Sequence, residues 1–264
     1  MIQIRPTILN LFAIPLITIL SLDSPQAQQN RTLESKLKES HSFSRDITES
    51  NIELEYASIL NRIKEKKDSF KESYLNSDDL KKNIIEQAKD YVFNSLTSEI
   101  FPKWYGTKWE FYGKTKKPKK GSIACGYFVA TTLRDSGFNL SISDLAKQPS
   151  LYIIKNLISS TPMRNYSNKG VQYTKKKVEE SGKGIYIIGL DNHVGFIVNN
   201  SKEIRFVHSS YYDPPLSVVS QPIDSFNPIV NSRHIVIGKI LDDEMIRKWI
   251  LGERFQLKFD YFHK

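Results

Sequence analysis

The chain has 264 residues, 39% of them hydrophobic, with 38 basic against 29 acidic side chains and a formal net charge of +9. Its single cysteine excludes an internal disulfide. The five histidines, at 41, 193, 208, 234 and 263, show no metal-ligand spacing around it, so neither metal nor cofactor is expected. The cationic surplus favours an anionic partner, such as nucleic acid, a membrane surface or a polyanionic cell wall, without choosing among them.

The first 27 residues, MIQIRPTILNLFAIPLITILSLDSPQA, place Arg5 before an apolar stretch from Ile8 to Leu22 and end in small and polar residues. That layout predicts a secretory signal peptide cut after Ala27. About 15 apolar residues interrupted by Pro15 are short for the ~20 that a membrane-spanning helix needs. A secreted or periplasmic protein with no stable membrane span after cleavage is the expectation. Export also argues against a nucleic-acid partner, and the lysines lack interleaved aromatic stacking platforms.

Residues 28–78 are read as a polar, flexible lead followed by a helix. From Asn51 to Leu75, Ile52, Tyr56, Ile59, Ile63, Phe70 and Tyr74 recur at helical steps, so one face packs and the other carries charge. After the NSDD cap at 76–79, a second helix is expected from Asp79 to Ser98, with Ile84, Ile85, Ala88, Tyr91 and Val92 inward. FPKWYGTKWEFYGKTKKPKKG then reads as loop and short strand. GSIACGYFVATTLRDSGF predicts a helix with Ser122 as a possible N-cap, Cys125 in the first turn and Gly137 as the stop. Residues 141–180 read as part helix and, at TPMRNYSNKG, loop. Beyond Gly184 the texture becomes strand, in GIYIIGL, HVGFIVNN, EIRFVHSS and RHIVIGKIL, before a final helix DDEMIRKWI. Helices first and an antiparallel sheet afterwards is an α+β arrangement.

The chemistry concentrates in three residues. Read as a hairpin with a two-residue turn, HVGFIVNNSKEIRFVHSS (193–210) puts His193 and His208 on one sheet face, and only an odd-length loop would separate them. A helix N-terminus favours a thiolate at Cys125, and Lys114, Lys116, Lys117, Lys119 and Lys120 would add positive field. Cys125 is then the candidate nucleophile, His193 the base and His208 its orienter, with backbone N–H groups near Cys125 as an oxyanion hole. The bland alternatives are a small core cysteine and structural histidines. Asp191, Asn192 and Asp224 stand in reserve for the third role.

Gly121-x-x-x-Cys125-Gly-Tyr-Phe-Val, His193-Val-Gly-Phe-Ile and Phe206-Val-His208-Ser-Ser together resemble the NlpC-type cell-wall cysteine peptidases, over roughly Thr107–Ser210. The resemblance implies a papain-like fold, with the nucleophile helix packed on an antiparallel sheet, spanning residues 79–264. It implies Cys125, His193 and His208 as the catalytic set. The tyrosine that helps the family's oxyanion hole falls near Trp109 or Tyr112, and Gly126 joins these as an oxyanion or substrate-binding candidate. Where the family commonly has Asp-Cys-Ser, this chain has Ala124-Cys125-Gly126. The implied activity is hydrolysis of amide bonds in the peptide stems of peptidoglycan, with peptidoglycan or another anionic envelope polymer as partner. The alternatives are a papain-like peptidase or transamidase acting on proteins, and a non-catalytic cationic wall-binding module.

Overall fold

The computed structural model of the chain describes residues 25–258, in two compact units that divide at Ile47–Thr48. Of the predicted signal segment 1–27, residues 1–24 lie outside the described residues and 25–27 begin the first helix. Helix α1 spans Pro25–Asn76 and so includes the stretch read as a flexible lead. That stretch has no proline after Pro25 and no glycine, so nothing in it interrupts helical hydrogen bonding. In the second unit α1 buries Tyr56, Ile59, Ile63 and Phe70, the stripe that the spacing predicts.

Helix α2 (Lys81–Asn94) buries Ile84, Ala88, Val92 and Phe93, then passes through a π-helical turn at Ser95–Ile100 into the short α3 (Phe101–Trp104). The sequence reading placed loop at FPKW. Instead, Pro102 sits in the first turn of α3, where its missing N–H costs little, while Phe101 and Trp104 are fully buried. Burying two such aromatic side chains is worth several kcal/mol, on the order of 2–3 each, which outweighs the local loop signal.

Helix α4 (Cys125–Asp135) follows, then α5 (Ile142–Ala146), α6 (Ser150–Leu157), strand β1 (Arg164–Ser167) and α7 (Gly170–Glu180). Strand β1 lies in the stretch read as loop. The remaining elements are β2 (Gly184–Gly189), β3 (Val194–Asn199), β4 (Ile204–Ser209), β5 (Val218–Pro222), α8 (Pro228–Asn231), β6 (His234–Lys239) and α9 (Asp243–Leu251). The strands form one antiparallel sheet in the order β1-β6-β2-β3-β4-β5, and the class is α+β as expected.

Both faces of the sheet are covered. One core joins α1, α2, α4, α6 and α9 to Ile185, Ile187, Val194, Phe196 and Val207. A smaller one covers Tyr186, Ile188, Ile197, Phe206, Ile235 and Ile237, with Val178 and Ile229 above them. This two-sided burial explains the near-continuous apolar runs of β2 and β3, which a sheet with one wet face would not need.

A polar junction anchors α1 and α3 to α4. Tyr56 Oη donates to Asp135 Oδ2 at 2.6 Å, and Trp104 Nε1 donates to Tyr56 Oη at 2.9 Å. Burial pushes the Asp135 carboxyl up, opposed by Arg134, whose Nε lies 2.6 Å from Oδ1.

Candidate functional site

Cys125 is the first residue of α4, and the N-cap is Ala124, which offers no side-chain cap. Ser122, the cap suggested by the sequence, instead donates from Oγ to Glu110 Oε2 at 2.9 Å. The approach to the helix is held from two sides. Ala124 N donates to Gly113 O at 2.9 Å, and Ser209 Oγ donates to Ile123 O at 2.7 Å. Gly126 lies directly against the carbonyl of Ala146, and a Cβ there would collide with it. Glycine after Cys125 is thus what lets α4 sit against α5.

The two histidines meet. His193 Nε2 and His208 Nδ1 lie 2.8 Å apart, with ring centroids 4.9 Å apart and planes at 85°. Both residues are buried, and His193 Nδ1 and His208 Nε2 have no hydrogen-bond partner among the described residues. The register differs from the two-residue-turn reading. Phe196 pairs with Val207 and Asn199 with Ile204, leaving a four-residue loop, Asn200–Glu203. Side-chain oxygens build that loop: Asn199 Oδ1 accepts from Ser201 N, and Asn200 Oδ1 from Lys202 N and Glu203 N, all at 2.9 Å. Four is even, so the histidines still share a face.

Gly195 makes their meeting possible. A Cβ on it would lie 2.7 Å from the Phe206 ring and 2.8 Å from His208 Cβ. The space it leaves is filled by the Phe206 and His208 rings, stacked at 3.9 Å.

Cys125 meets the start of β3 through the backbone of that strand. The Val194 N–H faces the Cys125 thiol, together with the N–H groups of Gly126 and Cys125 itself. Val194 is the residue next to His193. The imidazoles, however, share the face of Ile197 and Phe206, whereas α4 packs on the opposite face with Phe196 and Val207. Among the described residues no hydrogen bond joins the thiol to either histidine.

Burial sets the electrostatics of these three groups. Burial pushes the Cys125 thiol up, and the N–H groups of Val194, Gly126 and Cys125 pull it back only in part. No lysine contributes to that balance, contrary to the expected field of the lysine run. Lys117 and Lys120 pair instead with Glu53 on α1, at 3.2 and 3.5 Å. Burial lowers His193 to about 3. Burial and then the charge of His193 hold His208 well below the ordinary range. At neutral pH these shifts favour a protonated thiol and two neutral imidazoles.

The oxyanion and substrate candidates separate. Trp109 flanks the site, its ring 6.0 Å from that of Tyr211. Tyr112 is 82% exposed and packs on Phe111, with no hydrogen bond or ring contact to Cys125 or the histidines. Gly126 stays beside the thiol through its N–H. The reserve carboxylates are committed elsewhere: Asp191 accepts from Arg233 N and His234 N at 2.8 and 2.9 Å, and Asp224 pairs with Lys175 at 2.7 Å. Asn192 is exposed. Tyr211, which the sequence reading missed, has its ring 5.2 Å from that of His193 and feels the charge of Cys125. It lies beyond the end of β4, where alternation no longer predicts facing, so no local pattern marks it.

No group of three or more histidine, cysteine or acidic side chains suited to a metal occurs among the described residues. No described helix is long and apolar enough to cross a membrane. Comparison with protein-family models, curated proteins and solved structures finds no match to this chain.

Proposed function

We propose that the protein is an exported cysteine hydrolase that cleaves amide bonds, with peptidoglycan stem peptides as its substrate. The observation that carries the reading is the buried His193–His208 hydrogen bond at the strand start whose Val194 N–H faces the Cys125 thiol. Papain-like architecture, the wall substrate and export rest on the sequence resemblance and the signal-like leader.

In this reading His208 Nδ1 accepts from His193 Nε2–H. That leaves His193 Nδ1 as a bare acceptor, the tautomer a base requires. Both thiol and imidazole are neutral at rest, so His193 takes the thiol proton as sulfur attacks the carbonyl carbon. The N–H groups around the thiol are suited to the negative charge that develops. The proton on His193 then passes to the departing amine, leaving a thioester on Cys125. Water, deprotonated by His193, attacks the thioester and releases the carboxylic acid and the thiol. This step requires the thiol to reach His193 Nδ1, a contact absent among the described residues, and catalytic contacts in unliganded sites often tighten only on substrate binding.

The test is to incubate purified peptidoglycan with wild type and with Cys125→Ala and to analyse the released muropeptides. Release by wild type alone is expected. Equal release by both would sink thiol catalysis, and release by neither would sink the wall substrate.

A further inference from the structure

A cavity of about 210 Å³ lies between the end of α7, the start of β1 and the end of β6. Strand pairing dictates which side chains meet there. Arg164 on β1 faces Ile237 on β6, and Lys239, two residues further on, faces Tyr186 on β2. Alternation puts Arg164, Ile237, Lys239 and Tyr186 on one sheet face. Arg164 and Lys239 are then diagonal neighbours across β1 and β6, roughly 7–8 Å apart at the backbone. Val178 and Ile237 supply an apolar part of the wall.

The cations of this wall outnumber the carboxylates that meet them. Arg164, Lys177 and Lys239 line the cavity, and no acidic residue does. Glu180 pairs with Lys177 at 2.6 Å and feels Arg164 only as a weaker attraction. Among the described residues neither Arg164 nor Lys239 has a carboxylate within ion-pair distance. Both touch the residue that caps α7: Lys239 Nζ donates to Ser181 O at 3.0 Å, and Arg164 Nη2 donates to Ser181 Oγ at 3.2 Å. A helix C-terminus carries only about half a negative charge, so this capping leaves more than one positive charge over. Burial, then the charge of Lys89, hold the Lys239 ammonium below its ordinary range, and no carboxylate opposes them. Gly184 leaves room for the lysine stem, since a Cβ there would lie 2.5 Å from Lys239 Cε.

An ammonium carries three N–H donors and a guanidinium five, and each spends one here on Ser181. The remaining donors, on two half-buried cations set side by side, suit the several oxygens of a doubly charged anion. The apolar wall beside them suits an organic body attached to it. We infer that this cavity binds the phosphoryl group of a small phosphomonoester, with the dianion between Arg164 and Lys239 and the organic body against Val178 and Ile237.

The test is calorimetric titration of the full chain with phenyl phosphate. Benzoate keeps the ring with a single charge, and inorganic phosphate keeps the charge without the ring. Saturable binding of phenyl phosphate is expected, with each counterpart weaker by roughly tenfold. Lys239→Met and Arg164→Met should each lose a similar factor. Lys239→Arg keeps the charge and a donor for Ser181 O, and should bind like wild type. Lys64→Met, exposed on α1, should change nothing. Both cations also cap α7, so melting temperatures separate loss of the ligand contact from loss of the fold. Should a Met variant unfold, the three ligands on wild type decide alone. No saturable binding of phenyl phosphate would overturn the inference, as would equal affinity for benzoate or for inorganic phosphate. Undiminished binding by a folded Lys239→Met would overturn it too.

Discussion

His193 Nε2 and His208 Nδ1 lie 2.8 Å apart, and the outer nitrogen of each ring meets no partner among the described residues. A pair so placed resists protonation. Both folded-state pKa values fall below the unfolded one, with His193 at about 3 and His208 in the same direction. The unfolded chain therefore binds more protons below about pH 6.5, and stability rises with pH in the window between about 3 and 6.5. Urea unfolding should show full stability at about pH 7.5 and a loss of a few kcal/mol by about pH 4.5. His208→Asn should flatten that dependence. An unchanged slope in the variant would mean that other groups carry the pH effect.

The Cys125 thiol should be slow to alkylate at neutral pH. Its rate with iodoacetamide should rise only above the ordinary thiol pKa, because burial outweighs the N–H groups facing it. Replacing Lys114, Lys116 and Lys119 together by Gln should leave the midpoint of that profile unmoved. A shift to higher pH in the triple variant would restore the lysine run as a source of field at the thiol.

Gly195→Ala should separate the histidines. The added methyl meets the Phe206 ring and His208 Cβ at distances no packed Cβ tolerates, so one of them must move. A cost of about 1–3 kcal/mol is expected for such overpacking, measured by urea unfolding. The pH dependence of stability should weaken with it. A variant as stable as wild type, with the same pH slope, would show that the hairpin absorbs the methyl without parting the pair.

The Tyr56 hydroxyl supports α4 from behind. Tyr56→Phe removes the donor to Asp135 and the acceptor for Trp104 Nε1, leaving both buried partners short of a hydrogen bond. A loss of about 1–3 kcal/mol in chemical unfolding is expected. Asp135→Asn in the same background should recover part of it, since the neutral amide no longer needs to hold a buried charge.

Some of this architecture is written locally. The stripe from Tyr56 to Phe70, the strands after Gly184 and the final helix all follow from residue spacing, because helix and strand periods are properties of the backbone. The shared face of His193 and His208 also follows from counting, since any even loop preserves it. Other features have no local signature. Phe101–Trp104 reads as loop until two aromatic side chains are buried, and β1 is a strand because β6 pairs with it. The asparagine-built loop at 199–203 shifts the hairpin register by two residues without moving the face.

Cys125 shows the same division most plainly. Sequence alone put the only cysteine of the chain at a helix start and gave it two histidines to work with. Tertiary structure decided that the thiol meets the strand through the Val194 N–H, that the imidazoles share the face away from α4, and that Lys117 and Lys120 pair with Glu53 instead. Residue order sets spacing and parity, but burial and charge at a point depend on which distant segments pack there.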